Sequence, residues 1–141
     1  MLAASGTDIA RTLSKAGARE VLAIPCDLAN LADVAAAAQE IEGELGPIDR
    51  WLNTGMTDLR YVNATRAALD CMHARNSGTI VQVGAPETIR LFTDAIRTEL
   101  RVAGSGIHLE NVRGYPFRRI GAGMMAAAAA VGLVLLKRLA R

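Results

Sequence analysis

Phenols, thiols, imidazoles and carboxylates are the side chains that could move a proton or attack an electrophile, and this chain has few at useful spacings. Tyr61 and Tyr115 are its two phenols. A phenol with a pKa near about 10 is a poor base at neutral pH unless a neighbouring cation depresses that value. Neither tyrosine has a lysine four residues on. Tyr115 has Arg119 at that spacing, but in a basic loop after the last expected strand, where a surface arginine is the plainer reading. Cys26 and Cys71 stand alone, with no C-x-x-C pair, and read as reduced thiols. His73 and His108 have no neighbours at metal-ligand spacing and read as polar surface or helix-end residues. The sequence therefore assigns no catalytic residue and no metal site.

Turns are the better candidates for holding a ligand. Gly6 opens the first expected helix, Asp27 follows the apolar stretch Ile24-Pro25-Cys26, and Asn53-Thr54-Gly55 closes a short strand. The elements around them follow from hydrophobic periodicity. Gly6–Gly17 reads as a helix and Glu20–Ile24 as a short buried strand. The helix from Asn30 is the best specified. Asn30 can cap it, Leu31, Val34, Ala38, Ile41 and Leu45 form one stripe, and Gly46-Pro47 ends it. Ile48–Asn53 is a strand, Leu59 to about Arg75 a helix with Val62, Leu69 and Met72 inward, and Thr79–Val83 a β-branched strand. Ile89–Val102 is a helix facing inward through Ile89, Phe92, Ile96 and Leu100, and Ile107–Val112 is the last strand. Alternating helices and strands predict an α/β fold with a parallel sheet and helices on both faces.

At 141 residues the chain is long enough for one core. It is 51% hydrophobic with one Trp, so the interior is built from Ala, Leu, Val and Ile. Its charge is uneven: residues 1–110 carry ten basic and fourteen acidic side chains, residues 111–141 six basic and none acidic. A basic tail on an acidic body suits an anionic surface such as a membrane, and scarce aromatic residues argue against nucleic acid. Ile120–Leu136 is 17 uncharged residues between Arg118-Arg119 and Lys137-Arg138. As a helix it would be roughly 25 Å long, the short edge of a membrane span. A tail anchor and a packed Ala-rich helix compete for it. The organisation expected is a domain at 1–117 and a basic-flanked hydrophobic helix at 118–141. With no recognisable signal peptide the expected location is cytoplasmic, with membrane association through residues 120–136 as the variant.

Read in order, several segments resemble the short-chain dehydrogenase/reductase family. Gly6–Ala18 resembles the helix after that family's glycine-rich turn, and Ile24-Pro25-Cys26-Asp27-Leu28 the strand whose terminal Asp meets the adenine ring. Gly46-Pro47-Ile48-Asp49 and Asn53-Thr54-Gly55 resemble the approach to its Asn-Asn-Ala-Gly turn. Asn63–Leu69 with Ser77–Val83 resembles the helix and strand before its catalytic Ser, and Arg97–Leu100 through Asn111–Gly114 the segment before its substrate loop. The resemblance implies an incomplete Rossmann-like parallel sheet with NAD or NADP beyond the carboxyl ends of its strands, and Gly6, Asp27, Asn53 and Gly55 on the cofactor side.

The departures are as informative. Gly84 is followed by Phe92 after only seven residues, so the segment that carries the family's Tyr-x-x-x-Lys pair is missing. Ala85 stands where its catalytic Ser is expected, and the strand before Gly6 is not supplied. The family implies an NAD(P)-dependent oxidoreductase acting on a small alcohol or carbonyl substrate, here impaired or inactive. The alternative is a non-catalytic remnant that binds a nucleotide or another protein, its exposed sheet favouring a homodimer.

Overall fold

The computed structural model describes residues 20–24, 26–113, 123–129 and 132–138. They form β1 (Glu20–Ile24), α1 (Leu31–Leu45), β2 (Arg50–Thr54), α2 (Asp58–His73), β3 (Gly78–Val83), α3 (Glu87–Val102), β4 (Ile107–Val112), β5 (Gly123–Ala129) and β6 (Gly132–Arg138). One sheet collects the strands in the order β1-β6-β5-β2-β3-β4.

Local sequence accounts for most boundaries. Asn30 caps α1, its side-chain oxygen accepting from Asp33 N at 3.3 Å, and Gly46 leaves the helix at φ 93°. That left-handed backbone is why glycine ends this helix. Val34, Ala37, Ala38 and Ile41 of α1 are buried against Ala64, Ala67, Ala68 and Met72 of α2. Small alanines let the two helices approach closely over Trp51 and Ile80 of the sheet. The buried face of α2 is Tyr61, Ala64, Thr65, Ala68 and Met72, with Val62 and Leu69 only at its margin. The face is rotated from the expected one because two polar side chains, Asn63 and Thr65, point inward. Register places Trp51 beside Ile80 and Ile80 beside Leu109. All three described helices pack on the face that carries these residues, with Ile96 and Leu100 of α3 joining the same core. Leu52 and Val81, on the opposite face, are also buried. The expected helix at Gly6–Gly17 lies outside the described residues.

The tail differs from expectation. Within 118–141, where one hydrophobic helix is expected, residues 123–129 and 132–138 are two antiparallel strands. Strand β5 runs parallel to β2, with Arg50 opposite Met125 and Asn53 opposite Ala128. Strand β6 bridges β5 to β1, antiparallel to both. The sheet is therefore mixed, and only β5, β2, β3 and β4 keep the expected parallel pairing. An uncharged run fits a buried strand as well as a helix, and its period cannot separate them. Two further causes favour strands: Gly132 interrupts the helix, and the edge of β2 offers a row of backbone hydrogen-bonding groups. Among the described residues no helix is long and apolar enough to cross a membrane, so the anchor reading loses its helix.

Pairing also fixes direction. Because β1 is antiparallel to β6, and β6 to β5, strand β1 runs the same way as β2, β3 and β4. The residues after these four strands thus gather at one edge of the sheet. The other edge is a structural clamp. Asn76, at φ 50°, accepts from Gly106 N and Ser105 Oγ, both at 3.1 Å, and ties the turn before β3 to the turn before β4.

Candidate functional site

The carboxyl edge is shaped by two left-handed glycines. Gly55 (φ 66°) turns the chain off β2 toward α2, and Gly84 (φ 61°) turns it off β3 toward α3. Among the described residues, a Cβ on Gly55 would meet nothing within 4 Å, and one on Gly84 only the Arg113 carbonyl at 3.7 Å. These glycines are therefore required by backbone conformation, and no described residue fills the space beside Gly55.

Tyr61 joins the two turns. It is 1% exposed and donates its hydroxyl to the Val83 carbonyl at 3.0 Å. Burial raises its pKa, while hydrogen bonds from the Gly55 and Met56 backbone act in the opposite sense. Such a phenol is a brace between strand ends, not a proton acceptor for a substrate. The sequence points only to its missing lysine, because its partner lies 22 residues away.

Below the turns lies a buried polar cluster. Asn53 is fully buried; its Oδ1 accepts from Trp51 Nε1 at 2.7 Å, and its Nδ2 donates to Gln82 Oε1 at 3.0 Å and Thr65 Oγ1 at 3.3 Å. Gln82 Nε2 donates to Thr65 Oγ1 at 2.6 Å, and that hydroxyl donates to the Tyr61 carbonyl at 2.7 Å. Buried amides persist only when paired in this way. The structure thus places Asn53 beneath the edge, holding strands and helix together, with its amide spent inside the protein.

Asp27 is exposed at the same edge. Its Oδ1 accepts from Ala29 N at 3.0 Å, and its backbone carbonyl accepts from Asn30 N at 2.9 Å, so it also shapes the entry to α1. Asn63 of α2 holds that loop by donating to the Leu28 carbonyl at 3.0 Å. Asp27 and Gly55 therefore share one edge, while Gly6 lies outside the described residues.

Beside them, between the ends of β3 and β4 and the start of α3, is a cleft of about 240 Å³. It is lined by Gln82, Gly84, Ala85, Arg90, Asn111, Val112 and Arg113. Sequence reasoning reached Ala85, and Asn111–Arg113 only as part of the segment resembling the approach to the family's substrate loop; it gave no site role to Gln82, Gly84 or Arg90. A signal was present: an amide and an arginine, Asn111 and Arg113, at the end of an expected strand. Ala85 brings no hydroxyl, so among the described residues the cleft offers amides and guanidiniums but no nucleophile.

Elsewhere, among the described residues, no group of three His, Cys, Asp or Glu could hold a metal. The Cys71 thiol, near the clamped edge, is pushed up to about 12, first by burial and then by the Glu42 carboxylate, with Arg75 opposing. At pH 8, alkylation of native Cys71 is expected to run about a thousandfold slower than in the urea-unfolded chain, following the thiolate fraction. Mass-spectrometric labelling rates would check this; equal rates would contradict the half-buried placement beside Glu42.

No protein-family model and no curated protein sequence matches this chain. Solved structures share its fold. Serine dehydrogenase from Escherichia coli superposes with a TM-score of 0.51 at 21% identity, over 60% of this chain and 56% of that one. A short-chain dehydrogenase from Streptomyces avermitilis gives 0.58 at 16% identity, over 89% and 59%. A metagenomic short-chain oxidoreductase in complex with NADP gives 0.56 at 17%, over 80% and 69%. The chain thus spans little more than half the length of the first two. At these identities the likeness is one of fold.

Proposed function

We propose that this protein is a nicotinamide-nucleotide-binding scaffold of the short-chain dehydrogenase type whose own proton-transfer groups are lost. The observation that carries this reading is the pair of glycine turns at the ends of adjacent parallel strands, braced by Tyr61, with Gly84 lining the cleft. Ligands of parallel α/β sheets bind beyond such carboxyl ends, and the metagenomic oxidoreductase of like fold is in complex with NADP.

The residues fit the group in part. Asp27 is exposed and could accept a hydrogen bond from an adenine amino group through the oxygen not engaged by Ala29. No described residue fills the space at Gly55, which suits close approach of a ribose or adenine. Asn53 supports this floor from beneath. When bound, the nicotinamide would supply hydride exchange with an alcohol or carbonyl carbon. The chain's part in that reaction is weak. Ala85 donates no proton, and the Tyr61 hydroxyl is held by the Val83 carbonyl. Binding without turnover is the result we infer.

Calorimetric titration of the full chain with NADH and NADPH tests it. Saturable binding is expected, and Asp27→Ala should weaken it about tenfold, the value of one hydrogen bond to a charged group. Asp27→Asn, which keeps a side-chain oxygen for Ala29 N, should weaken it as well, separating the lost charge from the lost turn. Equal affinity of wild type and Asp27→Ala would remove Asp27 from the site.

A further inference from the structure

We propose that the outer edge of β4 is a self-pairing surface, fitted to β4 of a second copy in antiparallel register and held shut by Arg97. The inference is independent of any bound nucleotide. Three observations carry it.

The first is the direction of the strand's backbone groups. Strand β4 ends the sheet and pairs only with β3 among the described residues. The Val112 carbonyl accepts from Gly84 N, just past the end of β3, at 2.8 Å, so Val112 turns its backbone groups toward that side. Direction alternates along a strand, which turns His108 and Glu110 the same way. The backbone groups of Ile107, Leu109 and Asn111 therefore point out of the sheet. Such a row is a template for another strand.

The second is how the row is closed. Arg97 reaches it from α3, donating through Nε to the Leu109 carbonyl at 2.7 Å, while Asp94 Oδ1 holds its Nη1 at 3.3 Å. Ser105 Oγ accepts from Ile107 N at 3.1 Å. Leu109 is 3% exposed, so the edge is shut in the chain as it stands. The Arg97 side chain itself is 39% exposed and can swing aside without opening the core.

The third is charge. His108 and Glu110 are exposed on the sheet face opposite the helices, two residues apart. An antiparallel pair centred on Leu109 sets His108 opposite the partner's Glu110, and symmetry makes this contact twice. Centring the pair on Glu110 would instead set that carboxylate against its own copy, so charge selects the register. The two central hydrogen bonds, from each Leu109 N–H to the other Leu109 carbonyl, need the oxygen that Arg97 now occupies.

The test is analytical ultracentrifugation of the full chain, with amide hydrogen exchange read along β4. Arg97→Met keeps the side chain's bulk and removes its donor. It should dimerise with a dissociation constant at least about tenfold below that of wild type, the worth of one ionic hydrogen bond. Protection of the Leu109 and Asn111 amides should rise with concentration in this variant and not in wild type. Adding Glu110→Lys should undo the dimer. Adding His108→Glu with Glu110→His should keep it, because reciprocal pairing survives the exchange only when the partner is a second copy. A folded Arg97→Met chain that self-associates no more than wild type would overturn the proposal. So would a dimer protected elsewhere, or one indifferent to Glu110→Lys. If Arg97→Met lacks the Trp51 emission of the folded chain, Asp94→Ala, which releases the guanidinium, decides by the same criteria.

Discussion

Replacing Asn53 with leucine is expected to destabilise the fold by about 2–5 kcal/mol, a large share of the roughly 5–15 kcal/mol that holds a domain of this size together. Leucine fills a similar volume, so the cost is not a cavity. It is the stranding of Trp51 Nε1 and Gln82 Oε1, which lose the amide that now serves both. A buried polar group without a partner costs about 1–3 kcal/mol, whereas removing both partners together costs much less. Asn53→Leu combined with Gln82→Leu should therefore cost at least about 1 kcal/mol less than the sum of the two single changes. Trp51 is the chain's one tryptophan and is fully buried, so its fluorescence through a urea titration reports the transition directly. A change under about 1 kcal/mol for Asn53→Leu would show that water reaches this cluster and that the edge above it is not built on it.

Deleting residues 118–141 is expected to abolish the cooperative unfolding transition. If those residues formed a tail helix outside the sheet, their loss would leave the body intact. In the structure β5 pairs along β2 from Arg50 to Asn53, and β1 reaches the sheet only through β6. Without the hairpin, β2 becomes an open edge and β1 has no neighbour. An unpaired edge strand seeks another chain, so the shortened protein should populate soluble aggregates in size-exclusion chromatography. A monomer that unfolds with the wild-type midpoint would contradict the observed strand order.

These two cases mark what the sequence makes legible. Elements with their own punctuation read off closely. The cap at Asn30, the left-handed exit at Gly46, and the β-branched run that became β3 each declare themselves within a few residues. Residues 120–136 carry no such signal, because an uncharged stretch has no polar face to show a period. The state of residues 123–129 and 132–138 depends on an open strand edge some seventy residues earlier. The proposed site divides in the same way. Gly55 and Asp27 are visible because a turn needs glycine and a strand end carries an acid. The cleft is not, since Gln82, Arg90, Asn111 and Arg113 meet only after β3, α3 and β4 are packed. Asn53 lies between these cases: the residue was legible, but its burial under α2 was not.

The most direct measurement of the central claim is energy transfer from Trp51 to bound NADPH in the full-length chain. Trp51 sits on β2, three residues before Thr54 and the turn at Gly55, so a nucleotide on the carboxyl edge lies within transfer range. A saturable rise of nicotinamide emission on tryptophan excitation, without oxidation of the cofactor when carbonyl substrates are added, is the predicted result. A folded chain that shows no transfer at any NADPH concentration would contradict the account.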